Sequence, residues 1–276
     1  MSDLGRGLRD LPRRAVFLSP PVSSPVQSLA RSLAQFSAGP LLAVAVSLVL
    51  GLSGCQEVGS GAVMTSSMYA DLSVLGLGDG MSRVQATLRI GSMQSATLVE
   101  LQPGDTLTAS SGARMQKLER TIDQQGGFSY TGSFVGDAAG TPFSIAFTRQ
   151  NDVSAPSSQT VLPSPVTHLM PASGTTVSRA QSFMITWDAG VGSSDLIDVS
   201  ITGPCVIGLS RMALPDTGQV LVAAAQIKNL PDMPGTTCSV QIAVARKRKG
   251  TVDPAFGAGG AFYGIQQSMG TINSVP

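Results

Sequence analysis

Few residues in this chain could do chemistry, and their spacing narrows the kinds. Asp216-Thr217-Gly218 has the triplet of an aspartic hydrolase. That chemistry needs two carboxylates sharing one proton, and the chain has no second such triplet. Leu214-Pro215 just ahead of it predicts a polar turn instead. His168 is the one imidazole. As a general base it must reach both a nucleophile and an orienting acid. It lies between Pro165 and Pro171, beside a proline-rich stretch, where a surface or boundary histidine is expected. Asp188, Asp195 and Asp198 could converge at a loop end, as calcium requires; solvated loop carboxylates are the other reading. Zinc needs clustered Cys and His, which the chain lacks.

Arg246-Lys247-Arg248-Lys249-Gly250 is the sharpest charge feature. Four adjacent cations repel unless solvated or paired. The run follows a predicted strand and ends in Gly, so a hairpin tip is one reading. The functional reading assigns Arg246, Lys247, Arg248 and Lys249 to contact with an anionic surface, such as lipid phosphates or wall polymers. Phe256 to Tyr263 holds several glycines among aromatics but lacks the Lys and Ser/Thr of a phosphate loop. It reads as a loop before a terminal strand, or as part of an extended tail lying across one domain. No catalytic residue, metal ligand or cofactor site is assigned. A glycan hydrolase with paired carboxylates is the enzymatic rival, and the scattered acids name no pair.

Composition agrees with a binding or structural module. The 276 residues carry 18 basic and 17 acidic side chains, and only 13% are charged. After residue 54 the balance is slightly acidic and no aromatics interleave with the cations, so nucleic acid is excluded as a partner. No stretch shows a strong helical stripe. Short alternating runs recur between Gly, Pro and Ser, which predicts strands. In the first half these are Tyr69–Leu75, Arg83–Ile90, Ala96–Leu101, Met115–Ile122, Gly127–Phe134 and Phe143–Arg149. Met115–Ile122 also fits a helical face. Gly78-Asp79-Gly80 and Pro103-Gly104-Asp105 supply turns.

Asn151 to Pro165 is rich in Pro and Ser and reads as a linker between two domains. Beyond it come Ser182–Trp187, Leu196–Ile201, Val220–Ile227, Cys238–Arg246 and a short run near Ala261–Gln266. The fold class expected is all-β, with two small β-sandwich domains at 68–150 and 166–276. Phe183-Met184-Ile185-Thr186-Trp187 resembles the early core strand of an immunoglobulin-like or fibronectin type III-like domain. The resemblance implies that Trp187 packs inward.

The first 54 residues differ in kind. Five arginines against two aspartates precede the apolar run Leu41 to Leu52. As helix that run spans roughly 18 Å, short of the roughly 30 Å hydrocarbon core, so it reads as the apolar core of an export signal. Leu52-Ser53-Gly54-Cys55 follows at once. Here the chain resembles a bacterial lipoprotein precursor. The resemblance implies a cleaved signal peptide at 1–54, a cut between Gly54 and Cys55, and a diacylglycerol on the Cys55 thiol, hence palmitate-type acyl chains. Gln56, in place of the Asp that retains such proteins in the inner membrane, implies the outer membrane. Residues 55–67 are expected as a flexible tether. Arg13-Arg14 looks like a twin-arginine export motif, but prolines separate it from the apolar run; a translation start near Val16, Val22 or Val26 is the preferred reading.

With Cys55 given to lipid, Cys205 and Cys238 remain, and an oxidising compartment predicts one bridge between them; a free thiol pair is the alternative. The function expected is a lipid-anchored envelope protein that binds, adheres or supports, with the membrane and an envelope protein or glycan as partners. An accessory subunit of an outer-membrane assembly, docking by strand addition, is the alternative.

Overall fold

The computed structural model describes residues 56–190 and 194–276. The leader, Gly54 and Cys55 lie outside the described residues. The chain runs through β1 Glu57–Gly59, β2 Met68–Gly76, β3 Met81–Ile90, β4 Leu98–Glu100, β5 Thr106–Ser111, β6 Arg114–Lys117 and β7 Glu119–Ile122. It continues through β8 Phe128–Val135, β9 Pro142–Thr148, β10 Ala155–Val161, β11 Thr176–Ser178, β12 Phe183–Thr186 and β13 Leu196–Thr202. The last elements are β14 Val206–Ile207, β15 Leu209–Pro215, β16 Gln219–Val222, β17 Lys228–Asn229, β18 Cys238–Lys249 and β19 Gly260–Val275. Two three-residue 3₁₀ turns, Ser60–Ala62 and Thr65–Ser67, are the helical elements among the described residues. The fold is all-β, with sheets stacked as in a sandwich.

Alternation drives the strands. In β2, Met68, Ala70, Leu72 and Val74 are buried while the residues between them are half-exposed. Gly78 and Gly80, both in the left-handed region, close the turn to β3, and Asp79 accepts a hydrogen bond from the Met81 N–H. Met115–Ile122 is neither one strand nor a helix. It is β6 and β7, which pair with β5 and β8 in different sheets. The buried Leu118 between them crosses from one sheet to the other and gives its N–H to Leu107.

Two hydrophobic cores form. One is built on Leu72, Leu88, Leu107, Phe143 and Phe147; the other on Ile185, Trp187, Ile197, Val199 and Val244. Trp187 packs inward, 5% exposed. The hairpin β18–β19 serves both cores. Its register runs without a break from Cys238 opposite Ser274 to Lys249 opposite Tyr263. Val240, Ile242, Val244 and Ile272 enter the second core, while Phe262 enters the first. β19 pairs in parallel with β2 near its start and with β11 at its end. One sheet of eleven strands results, with the path β1-β4-β3-β2-β19-β18-β13-β15. A second, four-stranded sheet runs β10-β9-β5-β6.

Two segments expected as a linker and a flexible tether are part of the folded sheets instead. Within the expected linker 151–165, Ala155–Val161 is β10, paired antiparallel with β9, and Leu162 is fully buried. Pro156 is tolerated because β10 is an edge strand with a register shift between Ala155 and Ser158, where a missing N–H breaks no ladder bond. Within the expected tether 55–67, β1 pairs in parallel with β4, and Ser60 and Thr65 are buried. Polar anchoring explains this. Ser60 Oγ donates to Asp105 at 2.7 Å, and the Thr65 N–H donates to Asp152 at 2.6 Å. A third departure is that the first part of β19, placed by sequence in the 166–276 domain, completes the first core's sheet.

The loop from 250 to 259 covers the first core, but the rest of the expected tail, 260–275, is the long strand β19 inside the large sheet. Phe256 stacks on Phe147, and Asp253 accepts hydrogen bonds from the Ser157 N–H and hydroxyl.

Candidate functional site

The basic run and the scattered aspartates, read separately in the sequence, are each other's partners. Parity sets this up. Val240, Ile242 and Val244 point into the second core along β18, and Arg246 continues that parity. Its side chain is 1% exposed. Arg246 Nε donates to Asp216 Oδ2 at 2.6 Å, and its other nitrogens donate to the carbonyls of Ser164, Pro165 and Asp188. A planar guanidinium with five donors suits such a junction, where an ammonium would not reach.

Asp216 is correspondingly not a solvated turn residue. The triplet does sit at the turn between β15 and β16, as expected, but the Asp216 side chain is 3% exposed. It accepts from the Trp187 indole and the Gly190 N–H, each at 2.8 Å. Burial pushes its carboxyl up; the hydrogen bonds from Arg246, Trp187 and Gly190 outweigh this and hold it below the ordinary carboxylate value.

The next two cations are paired across β13 and β18. Lys247 meets Asp198 at 2.9 Å, with its ammonium 4.7 Å from the Tyr263 ring centroid. Arg248 forms a two-bond fork with Asp195, at 2.8 and 2.9 Å, which raises the guanidinium's pKa. Asp188 accepts from Thr167 Oγ1 and from His168 Nδ1, and these bonds, the threonine's first, lower its pKa. The carboxylates of Asp188, Asp195 and Asp198 are therefore spent on different partners and do not converge. Among the described residues no group of three His, Cys, Asp or Glu could hold a metal. His168 is 83% exposed, a surface histidine as expected.

This corrects the reading of Arg246–Lys249 as one cationic patch. Asp216, Asp198 and Asp195 neutralise Arg246, Lys247 and Arg248. Lys249 is exposed and makes no ion pair among the described residues.

Two clefts flank the run. One, of about 430 Å³, opens where β10 meets the end of β18 and is lined by Ser110, Phe143, Ser144, Gln159, Lys249 and Thr251, among others. The second, of about 580 Å³, lies on the large sheet and includes Ser73, Gln85, Thr131, Asp198, Lys247 and Gln267.

Sequence reasoning missed two further buried arginines. Arg149 Nε lies 2.8 Å from Asp105, and its other nitrogens reach the Ser60 and Val63 carbonyls and Thr65 Oγ1. Arg179 donates to the carbonyls of Ser274 and Thr236 and to Ser274 Oγ. The parity of β18 could have exposed Arg246; nothing local marks Arg179.

The disulfide between Cys205 and Cys238 is formed, with Cα atoms 6.1 Å apart, and it ties the start of β18 to the loop after β13.

No family model matches the sequence, and no curated protein matches it. Solved structures similar to the chain include the FN1–FN3 domains of chicken CNTN1, at 11% identity and a TM-score of 0.21, covering 74% of this chain and 65% of that one. The Yersinia pseudotuberculosis adhesin InvE is similar at 14% identity and a TM-score of 0.20, covering 75% and 59%. Fibronectin(III)-like modules of Clostridium thermocellum CbhA are similar at 12% identity and a TM-score of 0.23, covering 75% and 90%. The chain spans less than two thirds of the length of the first two.

Proposed function

We propose that this chain is a lipid-anchored, non-catalytic binding module of the bacterial envelope, held to the outer membrane through Cys55. The observation that carries the binding role is the cleft between β10 and the end of β18. Its chemistry is mixed in the way a saccharide needs. Pro142 and the half-buried Val161 offer apolar surface to C–H faces, Ser110, Ser144 and Thr251 offer hydroxyls, and Gln159 offers an amide. Lys249 adds a positive charge that makes no ion pair among the described residues. The ligand class that fits is a hydroxyl-rich chain bearing acid groups, an acidic glycan.

Two measurements test the reading. Metabolic palmitate labelling of the intact chain should mark the protein, and Cys55→Ser should abolish both the label and membrane fractionation. Calorimetric titration of the detergent-solubilised protein with oligogalacturonate should show binding that Lys249→Ala weakens at least fivefold. An unlabelled protein defeats the anchor, and affinity unchanged by Lys249→Ala defeats the cleft.

A specific feature favours a second reading, an accessory subunit. Among the described residues β15 ends the eleven-stranded sheet and pairs only with β13, leaving a seven-residue edge for strand addition. A single stoichiometric partner in a crosslinked pull-down, lost when Pro replaces Met212, would favour it over the glycan module.

A further inference from the structure

Residue 57 begins β1, and that position constrains anything attached at residue 55. An extended chain covers at most about 3.6 Å per residue, so the Glu57 Cα lies within roughly 7 Å of the Cys55 Cα. β1 is fixed by its pairing with β4 and by the Leu98 N–H donating to the Gln56 carbonyl. The segment just after it is fixed as well, since Arg149 holds the Ser60 and Val63 carbonyls. No slack is left between the acylation point and the folded body.

The elements that border β1 carry exposed apolar groups. Met93, 55% exposed, sits in the uncharged loop Gly91-Ser-Met-Gln-Ser-Ala-Thr97 that leads into β4. Ile122, 62% exposed, ends β7 two residues after Arg120, whose Nη2 reaches Glu57 at 3.1 Å. The charges here lean negative, with one guanidinium to three carboxylates. Arg120 also lies 3.5 Å from Glu100, and the Asp123 carboxylate is turned to the N–H groups of Gln125 and Gly127. Such a rim suits a zwitterionic leaflet, which does not repel it, and leaves its exposed apolar side chains free to enter the headgroup layer.

We infer that this end of the first core rests directly on the lipid leaflet, with Met93 and Ile122 in the headgroup layer. The inference rests on the Cys55 anchoring proposed above. It makes the membrane a second contact surface of the fold and not only the site of its anchor.

The test uses the lipidated full chain in phosphatidylcholine vesicles containing shallow nitroxide lipids. A bimane probe is placed through Met93→Cys, Ile122→Cys or, as control, Met212→Cys on β15, which is 67% exposed. Quenching at 93 and 122 should exceed that at 212 at least twofold. A twelve-residue Gly/Ser insertion between Gln56 and Glu57 should reduce it to the control level, while the protein still floats with the vesicles. If the native-length protein floats but 93 and 122 are quenched no more than 212, the seated arrangement is overturned and the anchor stands. If the native-length protein does not float, the anchor itself fails, and the seating with it.

Discussion

Replacing Asp216 tests the pairing of the basic run most directly. Asp216→Ala leaves the Arg246 guanidinium buried without a counter-charge. It also removes the acceptor of the Trp187 indole and the Gly190 N–H. Losing one partner of a buried pair costs about 3–5 kcal/mol, and each orphaned donor adds to the strain, though not additively. A loss of about 4 kcal/mol is expected, a large share of the ~5–15 kcal/mol that holds a typical domain. With a urea slope of about 2.5 kcal/mol per molar, the midpoint falls by roughly 1.5 M. Trp187 is the single tryptophan and a built-in fluorescence reporter, with far-ultraviolet dichroism as an independent check. Isolated buried pairs are often replaced by apolar residues at little cost. Here Arg246→Met with Asp216→Leu should not recover stability, because the carbonyls of Ser164, Pro165 and Asp188 would lose their donor. The pH dependence has a fixed sign. Asp216 has a lower pKa folded than unfolded, so its contribution is full above the unfolded carboxylate value of about 4 and fades as pH falls through the folded value. Asp216→Asn should remove that component from the acid limb. A loss below 1 kcal/mol for Asp216→Ala would refute the reasoning, since Arg246 would then be finding water.

Further predictions concern stability. Reducing the bridge, or making Cys205→Ala with Cys238→Ala, frees a loop of 33 residues and should cost about 3.7 kcal/mol by chain entropy, read as a lower urea midpoint. Thr160 is buried with its hydroxyl unpartnered, so Thr160→Val should raise stability by about 1 kcal/mol; a comparable loss would mean that the hydroxyl is satisfied in solution. At Gly264 an added Cβ would lie 2.3 Å from the Val161 carbonyl oxygen, where β10 crosses β19. Gly264→Ala should therefore force the two strands apart and destabilise by about 2 kcal/mol or more, whereas alanine at Gly136, which meets nothing, should strain only its own backbone.

What was legible in the sequence was whatever depends on neighbours along the chain. The period-two burial of β2, β3 and β13 gave strands close to their observed limits. The count of cysteines gave the bridge. What stayed hidden depends on partners far away in sequence. Asn151 to Pro165 is compositionally a linker, and only pairing with β9 makes part of it a strand. Residues 57–67 have no hydrophobic pattern because polar bonds to Asp105, Arg149 and Asp152 fix them. The cations at 246–249 looked like a surface patch because the carboxylates that pair the first three lie 30 to 53 residues away. The parity of Arg246 with Val240, Ile242 and Val244 was the one local sign that it points inward.

The hairpin β18–β19 has a consequence for the order of assembly. β2 finds its parallel neighbour only in a segment made about 190 residues later, at the far end of the chain. While the chain is still being synthesised, the N-terminal half lacks that inner neighbour and the ring of Phe262, so its core stays incomplete. Closure waits for the last stretch to emerge, and both halves then gain their missing strand from the same event. A chain built this way completes neither core until residues 260–275 are in place, so its two halves lock together in one late step.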